Sequence, residues 1–195
     1  MPLSGLSGCL GVEMIEYTLK EAERVWLISD THFDHTNIIR YCKRPFVGIE
    51  EMNEYIVQQW RCTVALNDIV YFLGDMAFGR GSRNPRWWAT RLSGKITWIK
   101  GSHDKGIRPT SIIDGVEGVV LSETIVCNGI EFMLVHDTLN AGVNGWQGWV
   151  IHGHNHDNQP HFSWVRRRVN VSVEVIDYKP ISLANIVREV ESDNL

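Results

Sequence analysis

The sequence is short of several things, and each shortage excludes a class of protein. It has only four cysteines, Cys9, Cys42, Cys62 and Cys127, far apart and without a Cys-x-x-Cys pair. That excludes a disulfide framework and a cysteine zinc knuckle, and predicts buried free thiols in a reducing cytoplasm. No apolar run approaches the roughly 18 residues of a spanning helix, so a soluble, cytoplasmic protein with no membrane partner is expected. Charge of one sign is also missing: 19 Lys and Arg stand against 23 Asp and Glu, for a net charge of −4. Such a balance gives no overall attraction for nucleic acid and leaves room only for a local basic patch. There is no internal repeat and no low-complexity linker. The Gly- and Ser-rich stretch from Met1 to Gly11 lacks the basic start and apolar core of a secretion signal. Residues 1–13 therefore read as a loose tail, and 14–195 as one domain. A chain of 195 residues, 44% of them hydrophobic, folds without help from a metal. Any metal it holds is then for chemistry.

What is present has a rhythm. Val25 to Ser29 is an apolar, β-prone run that ends at Asp30; Asp68 to Leu73 runs into Gly74-Asp75; Lys95 to Lys100 ends at Gly101-Ser102-His103-Asp104. Helical spacing is predicted over 37–41, 49–62 and 85–92. Strands followed by helices indicate βαβ units and a layered α/β sheet whose polar residues gather at one edge. After Asp114 the pattern becomes strand-rich, with apolar or alternating stretches over 116–127, 131–136, 149–152 and 169–175. An amphipathic helix is predicted over 181–190.

The eight histidines are His32, His35, His103, His136, His152, His154, His156 and His161, and nearly all stand beside a Gly, an Asp or another His. In Asp30-Thr31-His32, side chains two apart on an extended strand end face the same way, so both can grip one metal. Gly153-His154-Asn155-His156 repeats the spacing with two imidazoles after a glycine suited to a tight turn. Asp75 brings a second carboxylate, able to bridge two cations, and His136 ends the strand before it. Oxygen and nitrogen donors without thiolate suit Mn, Fe, Zn or Ni. Taken singly, a D-x-H triplet or a strand-terminal G-D is an ordinary turn, and His152 and His161 read as structural.

The ordered series of D-x-H, G-D, a G-x-H-D turn, a strand-terminal His and G-H-x-H resembles the calcineurin-like metallophosphoesterase superfamily over residues 25–156. Asp30-Thr31-His32-Phe33, Arg44-Pro45-Phe46 and Gly74-Asp75-Met76-Ala77-Phe78-Gly79 resemble its branch of small, mostly uncharacterised bacterial, archaeal and phage phosphoesterases. The resemblance implies an α/β fold of two packed β-sheets flanked by helices, a four-layer sandwich. It implies two divalent ions, Mn foremost, with Asp30, His32 and His156 on the first, Asp75 bridging, and His136 and His154 on the second. It makes His103 the histidine that assists catalysis. Where the family places a metal-binding Asn this chain has Ser102, a weakened ligand, and where many relatives carry an Asp that orients the catalytic histidine it has Phe78.

A dinuclear phosphoester hydrolase is expected, of phosphodiesterase type on a small or nucleotide-like substrate, using a metal-bridging hydroxide. Two alternatives stay open: a metal-poor interaction scaffold on the same fold, and a nuclease-like enzyme on single-stranded nucleic acid. His35 and Asn37, just past the first motif, are candidates to line the pocket. Arg86 and Trp87, within a segment that also holds Arg80, Arg83, Trp88 and Arg91, are candidates for binding phosphate and stacking a base, or else a solvated face over core tryptophans. Asp104 orients His103, caps a helix or completes its turn.

Overall fold

A computed structural model describes residues 14–139 and 141–192. The tail expected over 1–13 and Cys9 lie outside them. The described chain starts with β1 (Ile15–Tyr17) and the one-turn helix α1 (Leu19–Ala22), where Thr18 and Glu21 each accept a hydrogen bond from the other's backbone. Then come β2 (Val25–Ile28), α2 (Thr36–Tyr41), α3 (Ile49–Thr63), β3 (Ile69–Phe72), α4 (Pro85–Ala89) and β4 (Lys95–Ile99). α3 buries Met52, Ile56 and Trp60, four residues apart, along one face. α4 starts where the Asn84 side chain accepts the Arg86 N–H and Pro85 occupies the first turn.

The remainder is β5 (Val116–Val120), β6 (Ser122–Cys127), β7 (Ile130–Val135), β8 (Trp149–His152), β9 (Phe162–Ser163), β10 (Arg168–Asn170), β11 (Ile181–Ser182) and α5 (Leu183–Ser192). Two mixed sheets result. One has the order β11-β2-β3-β4-β5, parallel except at β11; the other has the order β1-β6-β7-β8-β10-β9. Helices flank them, so the fold is α/β and sandwich-like, with a core drawn from both sheets.

Three stretches differ from the sequence expectation. Residues 116–127 are not one strand: at the exposed Leu121 the chain leaves the first sheet and enters the second. The expected strand over 169–175 stops at Asn170, whose side-chain oxygen caps the turn by accepting from Ser172 N. The helix expected from Ile181 starts at Leu183, because Ile181 and Ser182 pair antiparallel with Leu27 and Trp26. Of the described cysteines only Cys127 is buried; Cys42 is half-buried and Cys62 exposed on the last turn of α3, and all three are free thiols.

Candidate metal centre

The parallel strands β2, β3 and β4 end at one level, since Ile28 pairs with Phe72 and Phe72 with Trp98. Asp30 and His32 follow β2, Asp75 follows β3, and Gly101-Ser102-His103 follows β4. From the other sheet, parallel β7 and β8 deliver His136 and the pair His154 and His156. In open α/β sheets, ligands gather beyond such carboxyl ends. The chain turns sharply there: Asp30 (φ 58°), His32 (48°), Asp75 (59°), His154 (69°) and His156 (48°) are all left-handed. Each costs an L-residue about 1–2 kcal/mol, and strain of this kind collects at functional sites. Asp30 and His32 therefore converge through this turn and not through strand alternation, which the left-handed Asp30 has already ended.

The ligand atoms of Asp30, His32 and His156 lie within 4.8 Å of one another, and those of Asp75, His136 and His154 do likewise. His154 and His156, two apart in sequence, fall into different groups. Asp75 Oδ2 lies 3.3 Å from His136 Nε2 and 3.7 Å from His32 Nε2, so one oxygen faces both groups. Asp30 Oδ1 is 3.8 Å from His32 Nε2 and 4.0 Å from His156 Nε2. Asp30 Oδ1, both ring nitrogens of His32, and His136 Nε2 are buried without a hydrogen-bond partner. An unpaired buried polar group costs about 1–3 kcal/mol. Converging oxygen and nitrogen donors that leave this cost unrelieved fit divalent cations.

A further layer of side chains fixes the donors. Arg44, buried, donates to the carbonyls of Asp30 and Thr31 at 2.8 Å each and to Glu174 Oε1 at 2.6 Å. Glu174 Oε1 in turn accepts from His156 Nδ1 at 2.9 Å, which leaves Nε2 turned to the first group. Asp30 Oδ2 accepts from the His154 N–H and Ser172 Oγ, and His136 Nδ1 donates to the Leu73 carbonyl at 2.7 Å. A Cβ at Gly153 would collide with Ser29 Oγ and Asp30 Oδ2, and one at Gly101 with the Asp75 carboxylate. Close approach, more than turning freedom, therefore requires these two glycines. Asp104 completes its turn: its buried carboxylate accepts from Asp75 N, Met76 N, Gly101 N and Trp98 Nε1.

Burial holds His32 well below the usual imidazole range, keeping it neutral. Burial also opposes charge on His136 and His156, but Asp75 and Asp30 lift the first to about 9, and Cys42, Glu174 and Asp30 lift the second to about 10. Glu174, despite its burial, is pulled down to about 2 by His156 and Arg44.

Beside the two groups lies a cavity of about 610 Å³, lined by His35, Asn37, Phe78, Arg80, His103 and Lys105 among others. The His103 ring packs 4.1 Å from Phe78 and 5.5 Å from His32, with Nε2 4.0 Å from Asp75 Oδ2. Ser102 Oγ donates to Asp75 Oδ2 at 3.2 Å. Arg86 and Trp87 do not line this cavity: Arg86 reaches Ile112 O and Ser111 Oγ, and Trp87 is half-exposed under Arg83 and Arg91. Trp88 is core, stacked on Phe33 at 4.2 Å. His152 and His161 donate from Nδ1 to the Gly153 and Asn170 carbonyls. Sequence reasoning missed Asp34, which accepts from Arg83, Trp88 Nε1 and Asn53 and ties the Arg/Trp segment to the cavity wall. Its place beside His35, two residues after His32, was the signal available in the sequence.

Over 173 residues the chain is 41% identical to the uncharacterised protein MJ1445 of Methanocaldococcus jannaschii, covering 86% of this chain and 92% of that one. The chain belongs to the family of MJ1445. No protein-family profile matches it. Among solved structures, a protein of unknown function, AQ665 from Aquifex aeolicus, superposes with a TM-score of 0.63 at 22% identity, over 84% of this chain and 97% of the other. That likeness shows a shared fold. A novel archaeal phosphodiesterase is a weaker structural link, with a TM-score of 0.41 and 16% identity over 76% of this chain and 81% of its own. No helix among the described residues is long and apolar enough to cross a membrane.

Proposed function

We propose that this member of the MJ1445 family is a dinuclear metal-dependent phosphoester hydrolase that prefers diesters with a small or nucleotide-like leaving group. The observation that carries this reading is the pair of three-residue donor groups facing one oxygen of Asp75, with Asp30, His32 and His136 atoms buried and unsatisfied. Divalent ions bound there, Mn²⁺ foremost and Fe, Ni or Zn as alternatives, supply charge neutralisation for phosphoryl oxygens and a lowered pKa for the attacking water. Asp30, His32 and His156 hold the first, His136 and His154 the second, and Asp75 is shared. His103 stands between these groups and the cavity, where its ring donates a proton to the leaving-group oxygen. The cavity accepts one arm of a diester, with Phe78 and His35 offering ring surface and Arg80 and Lys105 offering positive charge to a further anionic group.

Hydrolysis of bis-p-nitrophenyl phosphate and p-nitrophenyl phosphate, with and without Mn²⁺, tests the reading. Metal-dependent turnover that is faster on the diester supports it; no turnover with any of the four metals refutes it. His103→Ala should slow esters with alkoxide leaving groups by about 10²-fold or more while affecting p-nitrophenyl esters less. Equal slowing of both removes the general-acid role.

A further inference from the structure

The two groups are unequal in donors. With the shared Asp75, the first has four protein donors, Asp30, His32, His156 and Asp75; the second has three, Asp75, His136 and His154. The carboxylates are unequal too, since Asp30 belongs to the first group alone and the second has none of its own. Ser102, on the neighbouring turn, directs its hydroxyl proton to Asp75 Oδ2.

Asp137 directly follows His136, and its Oδ2 lies 3.8 Å from His154 Nε2. With Ser102 and His136 it lines an opening of about 310 Å³. Its Oδ1 accepts the Leu139 N–H at 2.9 Å, which leaves Oδ2 on the His154 side; it stands just outside the Asp75, His136 and His154 group, so ligation draws the half-exposed carboxylate inward. Among the described residues no lysine or arginine forms an ion pair with it; its neighbour is the His154 imidazole. A carboxylate ligand on a hard or borderline cation supplies both a donor and a compensating charge.

We propose that Asp137 is the fourth protein donor of the second group, binding its cation through Oδ2 and taking the place of a donor from the Ser102 turn. Each cation then has one carboxylate of its own, Asp30 or Asp137, besides the shared Asp75. The proposal rests on the dinuclear reading above.

Calorimetric titration of the full chain with Mn²⁺ tests it, read together with the electron paramagnetic resonance signal of a coupled Mn pair. The wild type should bind two ions. Asp137→Ala should leave the tighter site unchanged, weaken the other by about 10-fold or more and diminish the coupled signal at equal free Mn²⁺. Asp137→Asn keeps the Leu139 hydrogen bond, guards against misfolding, and should weaken the same site by a smaller factor. Adding Ser102→Asn to Asp137→Ala should recover part of the loss. Second-site affinity at the wild-type level in either Asp137 variant overturns the proposal while leaving the dinuclear reading intact. A wild type that binds fewer than two ions overturns both.

Discussion

Around Asp30, His32 and His156 little is open, and the His156 side chain is 15% exposed. The Asp30 and His32 side chains are 0% and 3% exposed, and Arg44 and Glu174 behind them are 0% and 3%. Around Asp75, His136 and His154 the wall is thinner on one side only: Asp75 and His136 are 2% and 5% exposed, but the His154 side chain is 39% exposed and Asp137 33%. The first group also hangs on an internal ion pair and backbone carbonyls, whereas the second relies on the Leu73 carbonyl, the Ser102 hydroxyl and the His103 N–H that Asp75 Oδ1 accepts at 2.7 Å. Pre-organised, dry donors hold an ion tightly and exchange it slowly; half-open donors exchange it readily and admit substrate. On the dinuclear reading proposed above, the chain would set an anchoring position beside a working one.

The strongest way to break this contrast is to remove what the two positions share. Asp75→Asn should lower activity by about 10³-fold, the scale of losing a principal electrostatic group, and weaken both metal sites together. Loss at one site only, seen by metal analysis after dialysis, would show that Asp75 serves a single group. Next, Arg44→Met should destabilise the metal-free protein by about 3–5 kcal/mol in urea unfolding, because Glu174 is left as a buried carboxylate without its guanidinium. A small change would mean that His156 alone neutralises Glu174. Glu174→Gln should then weaken the first site by about 10-fold and spare the second; equal weakening at both would erase the distinction.

An effect of similar size is expected on pH. In the metal-free protein at pH 7, His156 and His136 carry protons, having been raised to about 10 and about 9. Each must lose its proton to ligate. Affinity at both groups should therefore rise by about tenfold per pH unit through neutrality. Titration enthalpies measured in buffers of different ionisation enthalpy should show about one proton released per ion; none released would mean that these imidazoles are already neutral.

Much of this centre was legible because its donors sit directly after apolar runs, at Asp30, Asp75 and His136, where a strand end is recognisable from composition alone. The supporting layer was not. Arg44 and Glu174 are 130 positions apart, and nothing local to either marks the pairing. Asp34 and Asp137 were passed over because a single acid beside a histidine is commonplace, and its partners come from distant loops. In the fold, the crossing at Leu121 was hidden because one residue separates β5 from β6 and both sides are equally strand-like. Ile181 and Ser182 carry helix-compatible side chains, and only the edge of β2 draws them into a strand.

That crossing has a mechanical consequence. Asp30, His32 and Asp75 come from one sheet, and His136, His154 and His156 from the other, so each group takes donors from both. An ion in either group is a rivet through the sandwich. Prising the sheets apart then requires breaking coordination bonds, and at an ion concentration 100 times its dissociation constant each rivet adds about 2.7 kcal/mol against unfolding. Chelation should accordingly let the two sheets part at a lower temperature while leaving the fold of each strand pair unchanged below it.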